Sequence, residues 1–302
     1  PGGAANPMTG ALDRLLCPRS IAVIGASSKR PTRGNLVIRN LQKWGFSGQV
    51  VPIHAQAGSI EGLPAANSIE DLPSGVDVAF VSVPASGVAD VVRRLDAAGV
   101  PAAVVISNGF TPNEESELRA LARTGGVIMH GPNCMGLINV SESVPLYTAE
   151  ITAKVGRGKV ALLVQSGSAG IALMNVLGVG LSKIVTLGSE FRLTSTDYLH
   201  WLAGDPHTSV VGLVLESIQD PEAFALAVRA VHAAGKHIVA LKVGRSAIGA
   251  LAAQAHTGSM ITPADAYDCF FRQCGVPAVA DYEQLAASLE CLATVKSLPK
   301  GP

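Results

Sequence analysis

The sequence predicts an α/β protein built on doubly wound parallel sheets. Short apolar runs recur along the chain, and most are continuously apolar rather than alternating. That is the pattern of strands buried on both faces of a parallel sheet. The segments between the runs carry helix-start signals, and strand–helix alternation is the signature of a wound sheet.

The predicted strands are Ser20–Gly25, Gln49–Ile53, Val76–Val83, Ala102–Ser107 and Val127–His130, then Lys159–Val164, Lys183–Leu187, Ser209–Glu216, His237–Val243 and Val276–Ala280. Between them, Thr111-Pro112-Asn113-Glu114 reads as an N-cap, a proline at the first helical position and a carboxylate at the third. Thr262-Pro263-Ala264-Asp265 repeats that signal, and Asp220-Pro221-Glu222 varies it by one position. Ten strands exceed the usual ~5–6 of one sheet. A boundary is therefore expected near 140–155, where Asn139–Lys154 has weak periodicity. No internal repeat or low-complexity segment interrupts the pattern, and Ser297–Pro302 reads as the start of a linker.

Bulk composition agrees. A length of 302 residues suits two domains of ~150 residues each. With 48% apolar and 15% charged residues the chain can fill a core. Lys+Arg and Asp+Glu both count 23, which argues against a nucleic-acid footprint. No run approaches the ~20 apolar residues of a membrane span. Pro1–Gly10 lacks the charged and apolar regions of a signal peptide, and a chain beginning at Pro1 is expected to be processed, tagged or cut from something larger. Five cysteines with no Cys-x-x-Cys pair predict a reduced, cytoplasmic protein without structural zinc.

The first strand runs into Gly25-Ala26-Ser27-Ser28-Lys29-Arg30-Pro31-Thr32-Arg33-Gly34, with a helix expected over Leu36–Lys43. Such a turn aims backbone N–H groups and a helix dipole at an anion, and Lys29, Arg30 and Arg33 add positive charge. A plain βα turn with a solvated basic loop is the alternative. The Gly-x-Gly-x-x-Gly spacing of dinucleotide enzymes is absent. So is the acid that would hold a ribose 2′-OH, since the second strand ends in Ile53-His54-Ala55-Gln56. Coenzyme A, richer in phosphate, suits the turn better than NAD. Later strand ends supply Ser82-Val83-Pro84-Ala85 and Ser107-Asn108-Gly109-Phe110.

A second strand–turn–helix stands at Gln165-Ser166-Gly167-Ser168-Ala169-Gly170, with a helix expected over Ile171–Leu177. Glu216 closes an otherwise apolar strand and needs a partner or a raised pKa, unless it caps the next helix or pairs with a surface lysine. His256 lies in a loop of small residues, Ala-Gln-Ala-His-Thr-Gly-Ser, with room for a phosphoryl group, although a loop histidine is ordinarily just solvated. Cys134, in Gly131-Pro132-Asn133-Cys134-Met135-Gly136, reads as a small buried thiol because no base adjoins it.

Taken together, these segments resemble the α-type half of NDP-forming acyl-CoA synthetases, the superfamily of succinyl-CoA synthetase and ADP-forming acetyl-CoA synthetase. The match runs from about Leu15 to Leu292. It is carried by Gly131–Gly136, Gln165-Ser166-Gly167, Leu241-Lys242-Val243-Gly244-Arg245-Ser246 and His256-Thr257-Gly258, in that order. The resemblance implies a Rossmann-like CoA-binding domain over 10–145, then a flavodoxin-like doubly wound parallel-sheet domain over 146–302 that bears a phosphohistidine. It implies His256 as nucleophile, Glu216 as its orienting carboxylate, and Ser166, Gly167 and Ser168 as the phosphate-holding helix start. Ser27, Lys29, Arg33, Gly34, Pro84, Ala85 and Asn108 become CoA contacts, and Ile171 and Asn133 line the acyl pocket. Ile171 stands where the succinate-using relative has a tyrosine, which points to a less polar acid. Relatives usually carry a basic residue at Gln56 and often Asn-Pro at His54-Ala55.

The implied reaction is acid + CoA + ATP giving acyl-CoA + ADP + phosphate, through an acyl phosphate and phospho-His256. No ATP-grasp half is recognisable: the sequence has neither a nucleotide lid nor Mg²⁺ carboxylates after the histidine region. ATP, ADP and Mg²⁺ are thus expected on an ATP-grasp partner, either a separate subunit or a fused domain, in an oligomer that takes a small carboxylic acid. The competing reading is a non-catalytic CoA-binding regulatory module. A nicotinamide dehydrogenase is disfavoured by the missing acid.

Overall fold

The computed structural model describes residues 7–151, 155–244 and 264–295. The chain divides into two compact units, one of Pro1–Thr152 with Thr186–Thr194 and one of Ala153–Val185 with Ser195–Pro302.

The first unit runs α1 (Pro7–Leu16), β1 (Ser20–Ile24), α2 (Arg33–Lys43), β2 (Gln49–Ile53), β3 (Ser59–Ile60), β4 (Leu63–Pro64), β5 (Val78–Val81), α3 (Ala85–Ala97), β6 (Ala102–Val105), α4 (Pro112–Thr124), β7 (Ile128–His130), β8 (Gly136–Asn139) and β9 (Val144–Tyr147). Its main sheet has the order β2-β1-β5-β6-β7, parallel throughout. Every residue of β1, β5, β6 and β7 is buried, as their unbroken apolar character predicts. Val81, Leu95, Val105, Leu118 and Met129 join sheet and helices in one core. The α4 start is the predicted one: Thr111 accepts from Glu114 N and the Glu114 carboxylate accepts from Thr111 N.

The first unit departs from the sequence reading at one helix start and one hairpin. The first helix after β1 begins at Arg33 rather than Leu36. Its cap is a reciprocal Thr32–Asn35 box in which Asn takes the place usually held by Glu or Gln. Residues 136–147, read as weakly periodic, form the antiparallel hairpin β8–β9 with Gly136 opposite Tyr147 and Asn139 opposite Val144. Both its strands are buried throughout, so no alternation marks them. The hairpin is tied down by Asn40, which donates to Tyr147 O at 2.9 Å, and by Asn139, which donates to Leu16 O at 2.9 Å.

The second unit runs β10 (Arg157–Val164), α5 (Gly167–Val176), β11 (Leu181–Thr186), α6 (Ser195–Gly204), β12 (Val210–Leu215), α7 (Pro221–Ala233), β13 (His237–Lys242), α8 (Ala264–Cys274), β14 (Ala278–Val279) and α9 (Tyr282–Thr294). These strands lie in the order β14-β13-β12-β10-β11. The pairs β10–β12, β12–β13 and β13–β14 are parallel. Asp220 caps α7 as predicted, accepting from Ala223 N at 3.0 Å. Helix α5 starts four residues before the expected Ile171, because a stretch that holds Gly167, Ser168 and Gly170 signals a helix weakly in sequence and is wound by its tertiary setting. At the base of this sheet lies a buried ion pair: Lys183 Nζ is 2.9 Å from Asp205 Oδ2, with side chains 1% and 2% exposed.

Candidate functional site

In the first unit the order β2-β1-β5 places a topological switch between β1 and β5, where the chain leaves β1 for opposite edges of the sheet. Ligands of open α/β sheets bind outside the carboxyl ends of the strands at such a switch. The turn from Gly25 to Arg33 lies there. A Cβ on Gly25 would sit 2.0 Å from Ser82 O, and its φ is +99°, so the two strand ends can approach only over glycine. Gly34 is buried, and a Cβ there would lie 2.7 Å from Ala26 N, so the helix start packs directly on the turn.

Asn35 organises this turn. It is 3% exposed. Its Oδ1 accepts from Ser27 N at 2.9 Å and Thr32 N at 3.1 Å, and its Nδ2 donates to Ser27 O at 2.9 Å. Lys29, Arg30 and Arg33 are exposed around the turn, and among the described residues none of the three side chains enters an ion pair or hydrogen bond. Cations held at a helix start without a protein anion fit a phosphate-bearing ligand. No acid stands at the end of β2. There His54 Nδ1 accepts from Gln56 N and Ala57 N, which turns the chain back.

The other expected contacts share the carboxyl rim of the same parallel sheet. Pro84 is the N-cap of α3 and offers no side-chain hydrogen bond, and Ala85 opens that helix. Asn108 is exposed just after β6, beyond Ser107, whose hydroxyl donates to Val83 O at 2.6 Å. Asn133, after β7, has a left-handed backbone (φ 56°), and its N–H donates to Ser107 O at 2.9 Å. Cys134 beside it is buried, donates weakly to Val105 O at 3.4 Å, and is pushed up to about 12 by burial. Such a thiol is inert at neutral pH.

In the second unit the switch falls between β10 and β12. Gln165 directly follows β10, is 5% exposed, and bridges the two strand ends. Its Oε1 accepts from Glu216 N and from Ser217 N (3.0 Å), and its Nε2 donates to Ser217 O at 2.9 Å. Ser166 is the N-cap of α5 and makes no side-chain cap bond; its Oγ lies 2.9 Å from Ser168 Oγ. Gly167 and Ser168 form the first turn, with N–H groups open to an anion. Glu216 is half-buried, with its N–H tied to the Gln165 side chain just before the α5 start, and Asp220, not Glu216, caps the next helix. Lys242, at the end of β13 opposite Leu215, is 6% exposed with its ammonium 4.7 Å from the Tyr267 ring centroid. Ile171 is half-buried in the second turn of α5. His256 and the Thr262 cap lie outside the described residues.

Thus the described residues gather Ser27, Lys29, Arg33, Gly34, Pro84, Ala85 and Asn108 at one rim, and Ser166, Gly167, Ser168 and Glu216 at another. Asn133 and Ile171, expected together in an acyl pocket, belong to different units. Among the described residues no cluster of three or more His, Cys, Asp or Glu could hold a metal ion, and no helix is long and apolar enough to cross a membrane. Sequence reasoning passed over Asn35 and its partner Glu61; the Thr-x-x-Asn spacing before a helix and the Glu-Gly turn were the available signals.

The fold and the two rims define a pair of doubly wound units, each with an open helix start at its switch point. Comparison with known proteins narrows that class. Residues 19–140 match the CoA binding domain and residues 157–292 the succinyl-CoA ligase like flavodoxin domain. A trans-feruloyl-CoA synthase, FCS1, from an unknown prokaryotic organism is 35% identical over 95% of this chain and 42% of its own length. The acetate–CoA ligase [ADP-forming] II subunit alpha of Pyrococcus furiosus is 31% identical over 96% of this chain and 64% of its own. The solved dinucleotide forming acetyl-coenzyme A synthetase 1 of Ca. Korarchaeum cryptofilum, in complex with phosphate and ADP, superposes with a TM-score of 0.90. It is 34% identical, over 96% of this chain and 64% of that one. The chain belongs to the superfamily of NDP-forming acyl-CoA synthetases, of which it carries the α-type half. It spans between about two fifths and two thirds of the length of these relatives.

Proposed function

We propose that the chain is the CoA-binding and phosphohistidine-bearing component of an acyl-CoA synthetase. The overall reaction is acid + CoA + ATP giving acyl-CoA + ADP + phosphate. In this reading residues 10–145 bind CoA and 146–302 carry the phosphohistidine. The observation that carries it is the unpaired cationic turn at the β1/β5 switch, with no acid at the end of β2 to select a nicotinamide ribose. Lys29 and Arg33 would face CoA phosphates, with Ser27, Gly34, Pro84, Ala85 and Asn108 shaping the crevice. CoA supplies the thiol that displaces phosphate from an acyl phosphate.

In the second unit His256 would accept the phosphoryl group, held in one tautomer by Glu216. The α5 start at Ser166, Gly167 and Ser168 would stabilise the charge in transfer. The ATP site, with ADP and Mg²⁺, would belong to an ATP-grasp subunit or domain, in keeping with the greater length of the relatives. The substrate would be a small carboxylic acid less polar than succinate. The reading places an oligomer in the cytoplasm, where five cysteines outside any disulfide would stay reduced.

The test has two parts. CoA should bind the full-length protein with an affinity that falls as salt rises, and NAD should not bind. Incubation with acyl-CoA and phosphate, or with the ATP-grasp partner and labelled ATP, should leave an acid-labile phosphate that His256→Ala abolishes without loss of CoA binding. Tighter binding of NAD would overturn the assignment of the first unit. No label in the wild type would favour a regulatory module.

A further inference from the structure

The cationic turn has a support that comes from outside it. Strands β3 and β4 are joined by Glu61-Gly62, with Ile60 opposite Leu63 and φ of 48° and 78° at the two turn residues. This is a two-residue hairpin of the kind that needs left-handed backbone at both positions. Glycine adopts that conformation freely, whereas glutamate does so at a cost. The strained residue is the one that reaches the turn. Glu61 Oε1 accepts from Asn35 Nδ2 at 2.8 Å, and Arg39 Nε lies 3.9 Å from the same oxygen. A further bond, from Gln42 Nε2 to Glu61 O at 3.0 Å, ties the hairpin to α2.

Asn35 can serve Ser27 N and Thr32 N only with its carbonyl oxygen turned toward them, because both are donors. An amide has two faces of similar shape, and a carboxylate on the Nδ2 side admits only one of them. Glu61 therefore acts on the turn through Asn35. It does so although it brings a negative charge to Asn35, the hub of a turn that carries Lys29, Arg30 and Arg33, where charge alone would disfavour an anionic ligand. Geometry and charge thus make opposite predictions for its removal.

We infer that Glu61 is a positioning residue for phosphate binding: it locks Asn35 and thereby the N–H groups and cations of the Ser27–Arg33 turn. The inference rests on the reading of that turn as the CoA site. It is tested with the full-length protein by titrating CoA into wild type, Glu61→Gly and Glu61→Gln at two salt concentrations. Glycine removes the carboxylate and relaxes the φ of 48°, so the hairpin itself is not penalised. Glutamine removes the charge but keeps an acceptor oxygen for Asn35.

Glu61→Gly should weaken CoA about tenfold, the effect of losing one charge-assisted hydrogen bond from a binding loop. Glu61→Gln should stay within about twofold of wild type, and the salt dependence should be the same in all three, since no cation has been removed. Deuterium uptake in a peptide spanning 25–35 should rise in Glu61→Gly and not in Glu61→Gln. Equal affinity of Glu61→Gly and wild type would overturn the inference and leave the CoA reading standing. Equal weakening in both variants, or tighter binding in both, would overturn it too, by assigning the effect to charge. A wild type that does not bind CoA removes both readings together.

Discussion

Replacing Gln165 by leucine keeps the volume at the end of β10 and deletes every polar contact that side chain makes. Glu216 N and Ser217 N lose their shared acceptor, and Ser217 O loses its donor. A hydrogen bond of this type contributes about 1 kcal/mol net, so these three give about 3 kcal/mol. Glu216 and Ser217 are half-buried, and water recovers part of that, which leaves about 2 kcal/mol. For a domain of this size the melting temperature should fall by about 4–8 °C. The functional effect should exceed what stability alone would give. The same bonds hold the backbone of Glu216 against the α5 start, and a carboxylate displaced by ~1 Å orients its partner poorly, at a cost of up to ~100-fold in rate. Thermal melting monitored by circular dichroism, together with the initial rate of acid-labile phosphate incorporation well below the melting point, measures both. A Gln165→Leu protein with wild-type melting and wild-type labelling would refute the bridge and the positioning of Glu216 derived from it.

Three further outcomes follow from the geometry. Glu216→Gln should slow phosphate incorporation while leaving the melting temperature near wild type, because the backbone bonds to Gln165 remain; an unchanged labelling rate removes Glu216 from the reaction. Lys183→Met should destabilise the protein by about 3–5 kcal/mol, since it strands the buried Asp205 carboxylate, and adding Asp205→Leu should recover most of the loss in denaturant titrations. His130 is fully buried and burial holds its pKa down to about 4, below the unfolded value of about 6.5. Its contribution is therefore complete above pH 6.5 and lost as pH falls toward 4, worth about 3 kcal/mol across that window, and His130→Phe should flatten the acid limb of a stability–pH profile.

Much of the fold was legible because parallel strands announce themselves. Ile21–Ile24, Val78–Val81 and Val210–Leu215 are apolar at every position because both faces are covered, and a continuous run needs no partner to be read. The caps at Thr111 and Asp220 are local too, each a side chain bonding to a backbone three residues on. The β8–β9 hairpin escaped notice because buried strands without alternation or a Gly-Asn turn carry no period. The early starts of α2 and α5 escaped because an asparagine box and a run of small residues signal weakly.

The chain's residues alone determined two wound α/β halves, a basic turn with no acid to select a ribose, and a family pattern in which Glu216 and the Gln165-Ser166-Gly167 turn take part. The tertiary structure decided which of these meet. Gln165 and Glu216 are 51 positions apart, and only parallel pairing of β10 with β12 in the register Val164–Val214 brings one side chain to the other's backbone. Asn35 and Glu61 are 26 apart and meet only because a hairpin after β2 returns to the start of α2. Neither contact has a periodic or local signature, since a hydrogen bond between distant segments depends on sheet order and register, and those are set by how the whole chain buries its apolar surface.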